Sequence, residues 1–157
     1  MITKDDLLGA WKLESWTVGY SDRNDFSYPY GEDPQGLLLY SDDGWMSASI
    51  ARHSRDRLPD DVPFRKLPEA MKAEAFSSYF HYAGRYRVVD GDVIHYVSQS
   101  LNPNFPGTEQ LRHAELDGQT LVLSGKDSVA GVIRFHSLVW HKLAAAEDEG
   151  VVIEGDN

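Results

Sequence analysis

The chain has 157 residues, 41% hydrophobic and 25% charged, a balance that supports one packed core and excludes a disordered chain. A formal charge of −10 argues against nucleic acid as a partner, because neutralising phosphates takes a basic face. Cysteine is absent, which excludes disulfides and thiolate metal sites, while four Trp, eight Tyr and six Phe supply side chains of the kind that line ligand cavities.

The first residues, Met1-Ile2-Thr3-Lys4-Asp5-Asp6, lack the apolar stretch of a secretory signal. No apolar run approaches the roughly 20 residues that span a bilayer. A cytoplasmic protein without membrane contact is therefore expected. Thr3 ahead of Asp5 and Asp6 predicts an N-capped helical turn that ends by Gly9. A first strand is predicted from Trp11 to Val18, with Trp11, Leu13, Ser15 and Thr17 on one face and Lys12 and Glu14 on the other.

Residues 21–34 are rich in Asp, Asn, Ser, Pro and Gly and read as a loop. A hairpin follows, Gly36 to Tyr40 and Trp45 to Ile50, turned by Ser41-Asp42-Asp43-Gly44. In this reading Leu37 and Leu39 share a face with Met46, Ala48 and Ile50, opposite Leu38 and Tyr40. Residues 51–67 form a polar loop. Its basic residues Arg52, His53, Arg55 and Arg57 are interrupted by Asp56, Asp60 and Asp61, as on a solvated surface rather than in an anion site. Pro68 to Phe80 reads as a helix, with Pro at the first turn where it is best tolerated.

From there the period is two. Strands are predicted over Tyr82 to Val89, Asp92 to Ser100, Glu109 to Leu116, Thr120 to Ser124 and Val132 to Leu143, with turns at Asp90-Gly91 and Asp117-Gly118. The total of about eight strands is the number at which a closed barrel holds one small ligand. The segment Leu101 to Gly107, with two prolines, reads as a defined loop at the rim. Two domain units follow: a barrel over 1–143 and an acidic tail over 144–157, where Val151 to Ile153 could add an edge strand.

Alternation then selects the inward side chains. Tyr82, Gly84, Tyr86 and Val88 oppose His81, Arg85 and Arg87, so the tyrosines face in. His95 and Gln99 share a face in the next strand, and Gln110 and Arg112 oppose the charged Glu109, His113 and Glu115 in the one after. The expected ligand-binding set is Tyr40, Tyr82, Tyr86, His95, Gln99, Gln110 and Arg112. Buried polar groups of this kind need partners or a ligand. A guanidinium holds a carboxylate by two parallel bonds, and a histidine near neutral pKa moves protons. His95 and Arg112 are thus the catalytic candidates, base and anion holder, if the pocket supports a reaction. No metal-ligand set emerges from the six histidines, and no cofactor motif occurs.

Several of these segments carry a family likeness. Leu8-Gly9-Ala10-Trp11 is similar to the Gly-x-Trp start of lipocalins. The chain resembles the bacterial and fungal lipocalin-like domain family in Tyr28-Pro29-Tyr30-Gly31, Gly36 to Tyr40, Asp43 to Ser47, Tyr82 to Tyr86, His95, Asn102-Pro103, Gly107 to Arg112 and Leu138-Val139-Trp140. The resemblance spans roughly residues 6–143. It implies a mainly β, calycin-type antiparallel barrel with one inserted helix near 68–80. Related barrels include carriers and enzymes, so activity does not follow from fold. Lipocalins place an Arg from the last strand over the first-strand Trp; here the candidates are His141 and Lys142. The expected function is binding of a small aromatic or carboxylated molecule in an internal pocket. The alternative is a cofactor-independent isomerase, dehydratase or cyclase using the same pocket. A homodimer is the assembly to test.

Overall fold

The structure is a computed structural model, described here for residues 1–147. Among the described residues it has nine strands: β1 (Gly9–Tyr20), β2 (Arg23–Ser27), β3 (Gln35–Tyr40), β4 (Trp45–Ala51), β5 (Tyr79–Val89), β6 (Asp92–Ser100), β7 (Glu109–Asp117), β8 (Thr120–Val129) and β9 (Val132–Lys142). All pair antiparallel with their neighbours in the order β2-β1-β3-β4-β5-β6-β7-β8-β9, and β1 also pairs with β9. That last pairing closes β1 and β3–β9 into a barrel, which removes the exposed edges an open sheet would carry. The two α-helices among the described residues are α1 (Lys4–Leu7) and α2 (Glu69–Ser77), the latter shorter than the span predicted from Pro68 to Phe80 because β5 begins at Tyr79, and a 3-10 turn at Phe64–Lys66 precedes α2.

The turns follow from their residues. Asp90-Gly91 joins β5 to β6 with both residues at positive φ, 52° and 82°, as a two-residue type I′ turn requires. Ala130-Gly131 does the same between β8 and β9, at φ 50° and 80°. The third turn is Gly118-Gln119 rather than Asp117-Gly118, since Asp117 is already paired with Thr120.

Three expectations about faces are overturned, each through a change of parity. In the early hairpin, the Ser41 amide bonds the Trp45 carbonyl at 2.8 Å, leaving only Asp42-Asp43-Gly44 as the loop. An odd loop pairs Tyr40 with Met46 and Leu38 with Ala48, so Leu38 and Tyr40 are the core residues while Leu37 and Leu39 face out. In β1, Leu13 pairs with Trp140 but Ser15 with Val139, so Glu14 is an extra residue. This β-bulge reverses the alternation and turns Trp16 and Val18 inward in place of Ser15 and Thr17. In β6, Gly84 pairs with Val97 but Ala83 with Gln99, so Ser98 is the extra residue and Gln99 is turned out to solvent.

The loop expected at residues 21–34 contains β2, which forms a hairpin with the end of β1. Strand β8 runs on to Val129, well past the predicted Ser124. Ala144 to Glu147 are exposed and belong to no element, and the edge strand expected at 151–153 lies outside the described residues. Among the described residues no helix is long and apolar enough to cross a membrane.

The core fills one end of the barrel around Leu7, Trp11, Leu13, Leu121 and Trp140. Trp11 donates its indole N–H to the Leu7 carbonyl at 2.9 Å, tying α1 across this end. Lys142, not His141, takes the place over the Trp11 ring, with Nζ 4.6 Å from the centroid.

Candidate functional site

At the opposite end the barrel encloses a cavity of about 340 Å³, at the lower bound for small-molecule pockets. Leu38, Ala48, Ile50, Leu123 and Leu138 give it aliphatic walls. Trp16, Tyr30, Phe80, Tyr82, Phe105 and Trp140 line it with aromatic rings. Trp16 stacks on Tyr30 at 5.1 Å and 15°, and Phe105 meets Phe80 edge-on at 5.7 Å and 85°. Asn102 and Phe105 come from the β6–β7 loop, which does form part of the rim.

The expected site residues separate into three groups. Tyr82, His95, Gln110 and Arg112 line the cavity on neighbouring strands β5, β6 and β7. Tyr40 and Tyr86 face inward but do not line it: Tyr40 lies behind His95, and Tyr86 donates to the Ser41 carbonyl at 2.7 Å. Gln99 is outside, displaced by the Ser98 bulge.

His95 is 1% exposed and held between two phenols, Tyr82 at 2.7 Å from Nδ1 and Tyr40 at 2.6 Å from Nε2. Burial, with the Arg112 charge second, lowers its pKa to about 3, so the ring is neutral at physiological pH. A neutral imidazole has one donor and one acceptor nitrogen. Tyr40 is 2% exposed and has His95 as its one side-chain partner among the described residues. Its proton would be orphaned in an apolar core unless it donates to Nε2. The Nδ1 proton then goes to the Tyr82 oxygen, and the Tyr82 hydroxyl keeps its own proton for the cavity. Burial raises the Tyr40 pKa well above that of an ordinary phenol and raises that of Tyr82 too, the nearby Arg112 charge partly opposing the latter.

Arg112 makes no ion pair among the described residues; Nη1 donates to its own neighbour's carbonyl, Leu111, at 2.9 Å. An unpaired donor is Trp140, 2% exposed, whose indole N–H has no partner among the described residues. Trp140 is the innermost lining residue of β9 and forms the cavity floor. The inner cavity therefore offers an occupant the Trp140 N–H, the Tyr82 hydroxyl and the Arg112 guanidinium as donors.

The mouth carries a second network that sequence reasoning missed. Asp127 accepts from Arg134 at 2.7 and 2.5 Å and from His136 Nε2 at 3.0 Å, while His136 Nδ1 accepts from Trp16 at 3.1 Å. An indole N–H only donates, which fixes the His136 tautomer with its proton on Nε2. Burial lowers the His136 pKa, and Asp127 partly opposes this; Arg134 lowers that of Asp127. The signal available in the sequence was the alternation Arg134, His136, Leu138, Trp140 along one face of the last strand. For Asp127 there was none, because β8 was expected to end at Ser124. No group of three His, Asp or Glu side chains suited to a metal occurs among the described residues.

A search of curated proteins finds no match. The family description "lipocalin-like domain" matches residues 8–143, which span every strand of the barrel. With the closed antiparallel barrel, the Gly9-x-Trp11 start and the cation over Trp11 in place, the chain belongs to the lipocalin-like domain family.

Proposed function

We propose that the protein binds a small, partly aromatic molecule bearing a carboxylate or other anionic oxygen, with its rings in the cavity and its oxygens on Arg112 and Tyr82. The observation that carries this reading is the unpaired Arg112 guanidinium beside an apolar chamber, in a chain of net charge −10. Arg112 is half-buried with no carboxylate against it among the described residues, so an anionic oxygen in the chamber would be its ion-pair partner. Lys126 at the mouth adds positive charge that favours anions locally, while Arg134 is neutralised by Asp127.

A second reading uses the same pocket. The Tyr82 proton and the Arg112 guanidinium converge as two donors suited to an enolate or carbonyl oxygen, the equipment of a cofactor-independent isomerase, dehydratase or cyclase. In that reading Arg112 holds the anion. His95 acts through Tyr82 rather than as a free base, since both of its nitrogens are engaged and its pKa is about 3.

Titration with naphthoate tests the binding reading, because Trp16 and Trp140 line the cavity and report on an occupant by fluorescence. Naphthoate should bind, its methyl ester should bind more weakly, and Arg112→Met should lose about tenfold in affinity for the acid, the worth of one charged hydrogen-bond pair. Equal affinity of wild type and Arg112→Met for the acid would sink the proposal.

A further inference from the structure

Between β7 and β8 the barrel wall is not sealed along its height. Their pairing runs from Asp117 opposite Thr120 to His113 opposite Ser124 and stops there. On the far sides, β6 still holds β7 as far as Glu109, and β9 holds β8 as far as Val129. Residues 109–112 and 125–129 thus each keep one paired edge and face each other across an open seam. The seam adjoins the chamber, since Gln110, Arg112, Lys126 and His136 line both spaces.

Arg112 lies across the threshold. A Cβ on Gly125 would come 2.8 Å from Arg112 Nη1 and 3.4 Å from its Cδ, so the side chain occupies room that only glycine leaves. The Leu111 carbonyl is 3.2 Å from the same point and accepts from Nη1 at 2.9 Å. The guanidinium thereby supplies the donor that a continued strand pair would have given that carbonyl. Outside the threshold, Leu111 and Phe135 form apolar lips, 57% and 45% exposed.

We propose that this seam is a lateral ligand passage and head-group subsite: an aryl acid lies with its rings in the chamber and its carboxylate at Arg112, and in an N-aroyl amino acid the chain beyond the aryl amide carbonyl emerges between β7 and β8. The proposal rests on the pocket reading above and adds where the ligand leaves the barrel. Its ligand class is accordingly aryl carboxylates and N-aroyl amino acids, whose polar ends would meet Arg112 and the seam. Sequence alternation could not show it, because the seam is a failure of two strands to pair.

The test is a reversible closure. The chain has no cysteine, so Leu111→Cys with Lys126→Cys introduces a single thiol pair on facing edges, and its reduced form is its own control. Reduced protein should bind naphthoate and naphthoylglycine. Oxidised protein should lose about tenfold or more in affinity for naphthoylglycine and release naphthoate about tenfold more slowly, both reversed by reductant. Gly125→Ala needs no disulfide: by displacing Arg112 it should weaken naphthoylglycine by about tenfold with the melting temperature little changed. Wild-type binding of both probes that oxidation leaves unaltered would overturn the seam and leave the pocket intact. Failure of wild type to bind either probe would overturn both. A dimer by sedimentation that oxidation dissociates would reassign the seam to strand pairing with a second copy and overturn the passage.

Discussion

The Lys142 ammonium sits 4.6 Å above the Trp11 ring and donates to the Leu8 carbonyl, so one cation from the last strand fastens both the first strand and the segment that leads into it. Gly9 makes room for it. Its φ is 108°, and a Cβ there would lie 2.8 Å from Lys142 Nζ. Lys142→Ala should cost about 1–2 kcal/mol in urea unfolding, from the cation–π contact and the carbonyl bond together. Lys142→Arg should come within about 0.5 kcal/mol of wild type, because a planar guanidinium also covers the ring. An alanine variant as stable as wild type would show that the contact carries no weight.

Gly84 is where β5 passes closest to the bulge in β6. A Cβ there would fall 1.9 Å from the Tyr96 carbonyl oxygen and 3.0 Å from the Ser98 amide, both backbone atoms that cannot rotate away. Gly84→Ala should therefore lose about 3 kcal/mol or more, or fail to fold, by the mechanism of overpacking. Gly19→Ala, where nothing lies within 4 Å of the added carbon, is the matched control and should stay within about 1 kcal/mol of wild type.

His95 makes stability depend on pH in a defined window. Its folded pKa of about 3 lies below the ordinary 6.5, so between these values the unfolded chain binds more protons. The contribution is complete above about pH 6.5 and is lost as pH falls toward 3, reaching about 2 kcal/mol by pH 5 for this group. His95→Gln keeps a neutral side chain able to accept from Tyr40 and donate to Tyr82. Chemical denaturation at pH 7 and pH 5 should show a smaller drop for the Gln variant than for wild type. Equal drops would mean that His95 is not the titrating group.

The two tyrosines that hold His95 should separate in their effects. Tyr40→Phe and Tyr82→Phe each leave one imidazole nitrogen unpartnered, and each should cost about 1–3 kcal/mol of stability. Only Tyr82 lines the cavity, so Tyr82→Phe should also lower naphthoate affinity by about tenfold while Tyr40→Phe changes it less than about threefold. Calorimetric titration of both variants decides this, and the reverse order would place the ligand away from Tyr82.

At the mouth, Asp127→Asn removes the carboxylate shared by Arg134 and His136. The carboxylate side chain is 43% exposed and well screened, so the stability loss should stay below about 1 kcal/mol. Association of naphthoate should quicken at low salt as the mouth becomes more positive, and the difference should vanish at high salt. Stopped-flow traces at two ionic strengths measure it; an increase that persists in high salt would rule out steering.

The sequence by itself determined the barrel. Turn residues at Asp90-Gly91, the Gly9-x-Trp11 start and the long period-two stretches each act within a few residues, and local chemistry of that range is legible in a single chain. It also placed Tyr82, Gln110 and Arg112 on the inner face, because charged neighbours occupy the opposite parity; for His95, opposed by Ile94 and Tyr96, alternation alone left the two faces nearly balanced. The tertiary structure alone decided which inward residues meet the cavity. Bulges at Glu14 and Ser98 each insert one residue and reverse every face beyond it, which brought Trp16 in and sent Gln99 out. The odd hairpin loop did the same for Leu38 and Tyr40. The Glu14 bulge is settled by pairing with β9 at the other end of the barrel sequence, and the Ser98 bulge and the hairpin loop by the register of paired strands rather than by the residues that flank them. The open seam beside Arg112 has the same origin, since whether two edges stay paired depends on how the whole barrel closes.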